Sequence, residues 1–285
     1  LCDLLARESD YCLFICFPKL PVARESALSA SSEPIDRARL LSGRLVASLE
    51  YHKVLESTND RAKTLAREGG IELPALILAG RQTAGRGRGR NRWWSGPESL
   101  AFTLLVNTEP WKTAREQISL SALAAGIAVV EAVSRRVAQH AVGLHWPNDV
   151  YVGDRKLSGI LVEVPVENRL VVGIGINTNC RLDDAPPELR QRITALIELT
   201  GDVHDHTGLV ADWLVAWTNW IGRLPDRPGE IGERANGLCL QCGRVLRLRQ
   251  GSQVYEGECL GIASDGAIRL RGKEGVREFY SGSVE

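Results

Sequence analysis

Between Val150 and Ile176 the chain offers three apolar runs separated only by turn residues, and this stretch does most to limit the possible folds. The runs are Val150–Val152, Leu157–Val164 and Leu170–Ile176, cut by Gly153-Asp154 and Glu167-Asn168. Short apolar runs bounded by turn formers read as strands. Upstream, Leu76–Ala79 and Leu100–Val106 share that texture, and Arg44–Leu55 reads as a further strand. Helical patterns are interleaved with them. Ile35–Leu41 is a short helix, and Ser57-Thr58-Asn59 supplies N-cap chemistry for a second that Gly69-Gly70 ends. Apolar residues recur at three- and four-residue spacing from Ile118 to Val137, and again from Leu209 to Leu224. This order predicts an α+β domain built on a mixed β-sheet with helices. The stripe Trp213, Trp217 and Trp220 reads as core packing.

From about Gly237 the texture changes to short β segments: Val245–Leu248, Val254–Cys259, Ala267–Leu270 and Val276–Tyr280, joined by good turns such as Gln250-Gly251 and Asp265-Gly266. They predict a small C-terminal β-barrel. Ala27–Pro34 is small, polar and proline-terminated, a linker composition. The expected division is therefore an N-terminal extension over 1–34, a main domain over 35–236 and the small barrel over 237–285. The chain begins with Leu1 and contains no methionine, so residues 1 to about 33 read as a weakly structured extension or an over-called start.

Lysine plus arginine equals aspartate plus glutamate, so no global field draws the protein to nucleic acid or anionic lipid. The seven scattered cysteines favour reduced thiols and a cytoplasmic location. Tyr11–Phe17 is too short to span a membrane, and the acidic residues before it argue against an export signal. Cys239 and Cys242 form a lone C-x-x-C with no second pair, which favours ordinary thiols over zinc.

Four segments can carry chemistry. Gln82–Trp94, Q-T-A-G-R-G-R-G-R-N-R-W-W, alternates glycine with arginine: the glycines let backbone N–H groups approach a ligand and the guanidinium groups can surround an anion. By itself it reads equally as an anion clamp, a solvated basic loop or a nucleic-acid contact. His145–Val150, H-W-P-N-D-V, presents an amide and a carboxylate suited to a nucleotide hydroxyl, a phosphate-bound Mg²⁺ or an Asx-turn. In Arg155–Val162, Lys156 heads a buried strand, either aiming charge at a reacting anion or protecting a strand edge. Gly173-Ile174-Gly175-Ile176-Asn177 admits a close neighbour against its backbone and is a weak nucleotide signal.

In this order and spacing the four segments, with Ser57-Thr58-Asn59, resemble the biotin protein ligase family, also called biotin–[acetyl-CoA-carboxylase] ligase, over residues 35–285. The resemblance implies a class II aminoacyl-tRNA synthetase/biotin ligase-like catalytic domain followed by a Src-homology-3-like barrel. It implies that Ser57, Thr58, Asn59 and Gln82 bind the biotin ureido ring, that Gly85, Arg86, Gly87 and Arg88 fold over biotin and its adenylate, and that Trp93 and Gly159 pack against the ligand. Lys156, with Arg86 and Arg88, then takes the catalytic role at the carboxylate and phosphate. Asn148, Asp149 and Asn177 fall where the family holds ATP, with Asp149 the candidate Mg²⁺ ligand.

The implied partners are biotin, ATP with Mg²⁺ and an apo-biotin carboxyl carrier protein. Neither DNA nor a membrane is implied, no tightly bound prosthetic group is expected, and the oligomeric state is monomer or homodimer. The chain looks like the short, ligase-only form, because no DNA-reading helix fits the first 35 residues. Two departures stand out: the loop reads Gly85-Arg-Gly-Arg-Gly-Arg-Asn-Arg-Trp93 in place of the commoner family pattern, and His145 stands where a lysine is usual. Lipoate ligases share the fold but carry a differently placed glycine-rich loop, which this chain lacks. A nucleic-acid-binding module would leave the Ser-Thr-Asn segment unexplained.

Overall fold

The structure, a computed structural model, describes residues 35–111 and 119–284. The expectations for residues 1–34, including the absence of a DNA-reading helix, lie outside the described residues. The large sheet is built from β1 (Ser48–His52), β2 (Ala75–Ala79), β3 (Leu100–Asn107), β4 (Val142–His145), β5 (Asp149–Val152), β6 (Arg155–Val166) and β7 (Arg169–Ile176), in the spatial order β1-β2-β3-β7-β6-β5-β4. Only β1 and β2 are parallel. The sheet is mixed because the link between those two strands is a helix, α2 (Thr58–Glu68), long enough for a parallel return.

Both faces of the central strands are covered, which is why β2 is apolar at every position rather than alternating. On one face Ala75, Ile77, Leu105 and Val171 pack beneath Ala62, Leu65 and Ala66 of α2. Leu76, Leu78, Phe102, Leu104 and Val172 belong to the larger core, with α3 (Ser119–Ser134) and α6 (His206–Ile221). The tryptophan stripe lies in that core as the periodicity requires. Trp213 is fully buried, meets Phe102 edge-on at 5.0 Å and stacks on Trp217 at 5.8 Å. Short helices α1 (Arg37–Ser42), α4 (Pro187–Arg190) and α5 (Leu196–Thr200) and the longer α7 (Pro228–Gly237) complete this part.

Strands β8 (Val245–Gln250), β9 (Gln253–Ile262), β10 (Ile268–Gly272), β11 (Gly275–Phe279) and β12 (Ser283–Val284) form a separate five-stranded antiparallel sheet, ordered β11-β10-β9-β8-β12. The small C-terminal β unit foreseen in the sequence is thus present. Residues 238–241 run alongside β4 before reaching it. Leu144 N donates to Leu238 O at 2.7 Å, Leu240 N donates to Leu144 O at 3.0 Å, and Trp146 N donates to the buried Gln241 Oε1 at 2.6 Å.

The structure differs from the sequence reading at one strand and adds another. The strand predicted over Arg44–Leu55 is confined to β1, because Arg44 takes a left-handed turn (φ 53°) and the chain is already entering α2 by Ser57. The helix predicted from Ile118 is described from Ser119, Ile118 itself lying outside the described residues. The four-residue β4 had no counterpart in the sequence reading, being too short for a periodic signal. Among the described residues no helix is long and apolar enough to cross a membrane.

Candidate active site

Helix α2 covers only part of its face of the sheet. Ser57 caps it, its hydroxyl accepting from Asp60 N at 3.4 Å, and the sheet beyond this N-terminus forms the floor of a cavity of about 390 Å³. Successive same-face residues of β7 show the transition. Val171 packs under α2, Gly173 lies under the Asn59 amide, and Gly175 lies under the Trp93 indole. A Cβ at Gly173 would overlap Asn59, placing its amide carbon 2.7 Å away, and one at Gly175 would come within 2.6 Å of Trp93 Nε1. The paired Gly159 on β6 abuts the same ring. The glycines that read as admitting a ligand therefore admit two of the protein's own side chains.

The inner end of the cavity is a closed hydrogen-bond network. Gln82 Oε1 accepts from Thr58 N at 2.8 Å and from Thr58 Oγ1 at 3.1 Å. Asn59 Nδ2 donates to Leu161 O at 3.2 Å and Glu163 Oε2 at 3.0 Å, which turns its Oδ1 toward the hydroxyl of Thr103, 2.8 Å away. Thr103 also lies 2.8 Å from Thr58 Oγ1 and is fully buried. Asn59 and Thr58 are 4% and 3% exposed, so their orientation is fixed by partners rather than by water.

An ionic cluster sits beside this network. Lys63 Nζ pairs with Asp60 at 2.7 Å and Glu163 at 3.1 Å, and Arg86 reaches the same two carboxylates at 2.9 and 3.7 Å. Burial works against ionising Asp60, yet its contacts with Lys63 and Arg86 hold it below the ordinary aspartate range. The Gly/Arg segment folds back on itself: Gly87 N donates to Asn91 O at 2.9 Å, Trp93 N donates to Gly85 O at 3.0 Å, and Gly89 turns the tip with φ 66°. Arg88, half-buried, donates to the carbonyl of Gly282, so β12 and its flank also wall the cavity through Ser283 and Val284.

At the outer end Lys156 Nζ pairs with Asp149 at 2.7 Å and lies 5.7 Å from the centre of the Trp93 ring. Asn148 Nδ2 donates to Ile160 O at 2.7 Å, pinning the turn that carries Asp149. His145 stacks on Tyr151 at 4.5 Å. Burial lowers the His145 pKa, keeping the ring neutral at pH 7, and burial with the Asp149 charge pushes Tyr151 up to about 12. Asp149 is the single carboxylate among the described residues of the wall, and no group of three or more potential metal ligands occurs among the described residues.

Of the predicted site residues, Ser57, Thr58, Asn59, Gln82, Arg86, Gly87, Arg88, Trp93, Asn148, Asp149, Lys156 and Gly159 all line this one cavity. Two do not. Gly85 lies behind the indole, where a Cβ would approach Trp93 O to 2.6 Å, and Asn177 is buried outside the wall, 1% exposed, its backbone tied to Leu157 and Leu196. The sequence reading missed Thr103, Glu163, Lys63, Asp60, Tyr151, Arg192 and the Gly282–Val284 segment. A polar residue interrupting an apolar strand, Thr103 in L-A-F-T-L-L-V and Glu163 in I-L-V-E-V, was the available signal.

Fold and cavity together define a class: an α+β protein in which an arginine-bearing loop borders one cavity with a polar inner end and a Lys156–Asp149 pair at its outer end. The family model described as biotin/lipoate A/B protein ligase family matches residues 51–179, and that of the biotin protein ligase C-terminal domain matches residues 242–285. The bifunctional ligase/repressor BirA of Bacillus subtilis is 31% identical over 242 residues, covering 83% of this chain and 73% of that protein. A biotin–[acetyl-CoA-carboxylase] ligase of Paracoccus denitrificans is 29% identical over 80% of this chain and 96% of its own. The biotin protein ligase of Aquifex aeolicus in complex with biotin and ATP superposes with a TM-score of 0.73 at 29% identity, over 84% of this chain and 98% of that one. The chain belongs to the biotin/lipoate A/B protein ligase family and, within it, to the biotin protein ligases.

Proposed function

We propose that the cavity carries out both half-reactions of protein biotinylation. Biotin's carboxylate attacks the α-phosphate of ATP, giving biotinyl-5′-AMP and pyrophosphate. The amine of a carrier-protein lysine then attacks the acyl carbon, forming an amide and releasing AMP. The observation that supports this reading best is the joining of a polar pocket of Thr58, Asn59 and Gln82, braced from behind by Thr103, to the Lys156–Asp149 pair through one continuous cavity.

The ureido head, with one carbonyl and two N–H groups, goes to the inner polar pocket, where unmade hydrogen bonds would be costly. Trp93 covers the ring system, its Nε1 turned against Gly175 of the sheet. Lys156 faces the carboxylate and α-phosphate, where two negative groups must meet. Neither step needs a protein nucleophile; both need charge neutralisation and positioning. Arg86 and Arg88 hold the lid over the hydrolysable adenylate.

Mg²⁺ would arrive with ATP, held by phosphate oxygens and the Asp149 carboxylate, and would neutralise phosphate charge. One carboxylate suits a magnesium ion that keeps most of its ligands as phosphate and water. The carrier is an apo-biotin carboxyl carrier domain of the acetyl-CoA carboxylase kind, met in the cytoplasm, and the protein acts as a monomer or homodimer without DNA. The domain division 35–236 and 237–285 is part of the same proposal. Incubation with ATP, labelled biotin and an apo-carrier domain tests it: ATP-dependent labelling of one carrier lysine is expected, and labelling by lipoate but not biotin would overturn it.

A further inference from the structure

Among the described residues five cationic side chains line the cavity: Arg86, Arg88, Arg92, Lys156 and Arg192. Three are already engaged. Lys156 is paired with Asp149, Arg86 with Asp60 and Glu163, and Arg88 with the Gly282 carbonyl. Each of the two ion pairs cancels most of the field its cation would offer an incoming anion. His145 adds none, its ring being neutral at pH 7. A nucleoside triphosphate carries about three to four negative charges into this cavity, since a terminal phosphate titrates near pH 6. Mg²⁺ would offset about two of those charges, and the engaged cations leave the remainder poorly balanced.

Arg92 and Arg192 are exposed and form no ion pair or side-chain hydrogen bond among the described residues. Their backbones differ. Arg92 sits on the Gly/Arg hairpin, bridged only to Arg86 of the same loop. Arg192 is fixed to the catalytic strand. Its carbonyl accepts from Lys156 N at 2.9 Å, Thr194 N donates to Lys156 O at 2.9 Å, and its own N–H donates to Leu189 O at 2.8 Å. Ile193 and Lys156 form a parallel bridge. The guanidinium is thus delivered from a rigid segment beside Lys156, and its charge is felt at Tyr151 in the same wall.

We propose that Arg192 is the ATP-phosphate-binding cation of this chain. It contacts the β- and γ-phosphates and the leaving pyrophosphate while Lys156 serves the α-phosphate. A guanidinium is suited to this because its planar fork meets two phosphate oxygens at once. The assignment rests on the cavity being the biotin and ATP site, and adds which residue holds the nucleotide's charged end.

The test compares wild type, Arg192→Ala and Arg192→Lys. ATP binding is measured by calorimetry with and without biotin, and steady-state constants by biotin-dependent ATP–pyrophosphate exchange. Arg192→Ala should weaken ATP binding and raise the ATP KM by about tenfold or more, as expected for one lost charge-assisted contact. It should relieve inhibition by pyrophosphate and leave the biotin KM within about twofold. Arg192→Lys should recover part of the loss, keeping charge without the fork. ATP affinity and pyrophosphate inhibition unchanged in Arg192→Ala would overturn the assignment, as would a change confined to the carrier KM, which would place the guanidinium against an acidic carrier surface. Direct ATP binding judges the residue even if exchange is absent in wild type, in which case the biotinylation reading fails and the nucleotide assignment stands or falls by calorimetry.

Discussion

The inner and outer ends of the cavity are built on opposite plans. At the inner end Thr58, Asn59 and Thr103 are buried, Gln82 is partly buried, and all four are bonded to one another or to the sheet. At the outer end Lys156 and Asp149, and on the lid Arg88, are partly exposed and satisfied by partners that a charged ligand can compete for. The first arrangement holds its shape before any ligand arrives, so recognition costs little reorganisation. The second must exchange internal ion pairs for ligand contacts, so its interactions strengthen only as charge develops, which favours chemistry over ground-state binding. The difference teaches that substrate identity and reaction rate are set at separate places in one pocket.

Substitutions at each end should separate these quantities. The largest effect is expected from Lys156→Ala, which should lower the rate of adenylate formation by about 10²–10³-fold, the scale of a removed charge-stabilising group. Biotin affinity without ATP should change by no more than about threefold. Single-turnover formation of biotinyl-AMP alongside biotin calorimetry checks this, and equal losses in both would erase the distinction. Next in size is Gly173→Ala, because the new methyl displaces the Asn59 amide. Biotin affinity should fall by about 10–100-fold, the cost of unmaking one or two buried hydrogen bonds, while maximal rate at saturating biotin is largely kept. A loss expressed in the rate and not in affinity would contradict the assignment of the inner end.

A smaller effect is expected of Arg88→Gly, which removes the contact between the lid and the Gly282 carbonyl. Biotinyl-AMP should escape about fivefold to tenfold faster and label bystander lysines, the loss of one charge-assisted hydrogen bond. Filter-retention of the labelled intermediate measures it, and unchanged retention would detach the lid from the C-terminal sheet. The smallest effect concerns stability. Glu50 of β1 pairs with Arg61 of α2, and that hydrogen bond holds its pKa near 2 instead of 4.5. Since folding lowers this pKa, the stabilisation is complete above about pH 4.5 and drains away as pH falls toward 2. Glu50→Gln should therefore flatten the acid limb of a thermal-melting profile below pH 4.5, and a limb of unchanged steepness would show that the pair contributes nothing there.

The Gly/Arg segment was visible in the sequence as thirteen positions rich in glycine, arginine and tryptophan, but its composition left three uses open, and only its place between Ser57-Thr58-Asn59 and Lys156 narrowed them. Helix α2 and its cap were legible too: Ser57 and Gly69-Gly70 mark both ends by chemistry that local spacing displays. The support for the inner end was not. Thr103 and Glu163 lie on strands whose neighbours are apolar, and only the sheet register brings them to Asn59, forty or more residues away in sequence. Gly173 and Gly175 were visible as a motif but their occupants were not, since which side chain fills a glycine gap depends on tertiary packing. Asn177, one step past β7, looked ligand-facing in the sequence, while its backbone pairing with Leu196 leaves it outside the lining of the cavity.

The strip formed by residues 238–241 has a bearing on how the protein can be dissected. Strand β4 is the last of the large sheet, and that strip supplies the partners for its outward-facing amide and carbonyl groups at Leu144. A fragment ending at Gly237 would leave this margin bare, a template for pairing with another chain. The catalytic half cut there should self-associate, whereas a fragment keeping residues through Gln241 retains its own shield against aggregation.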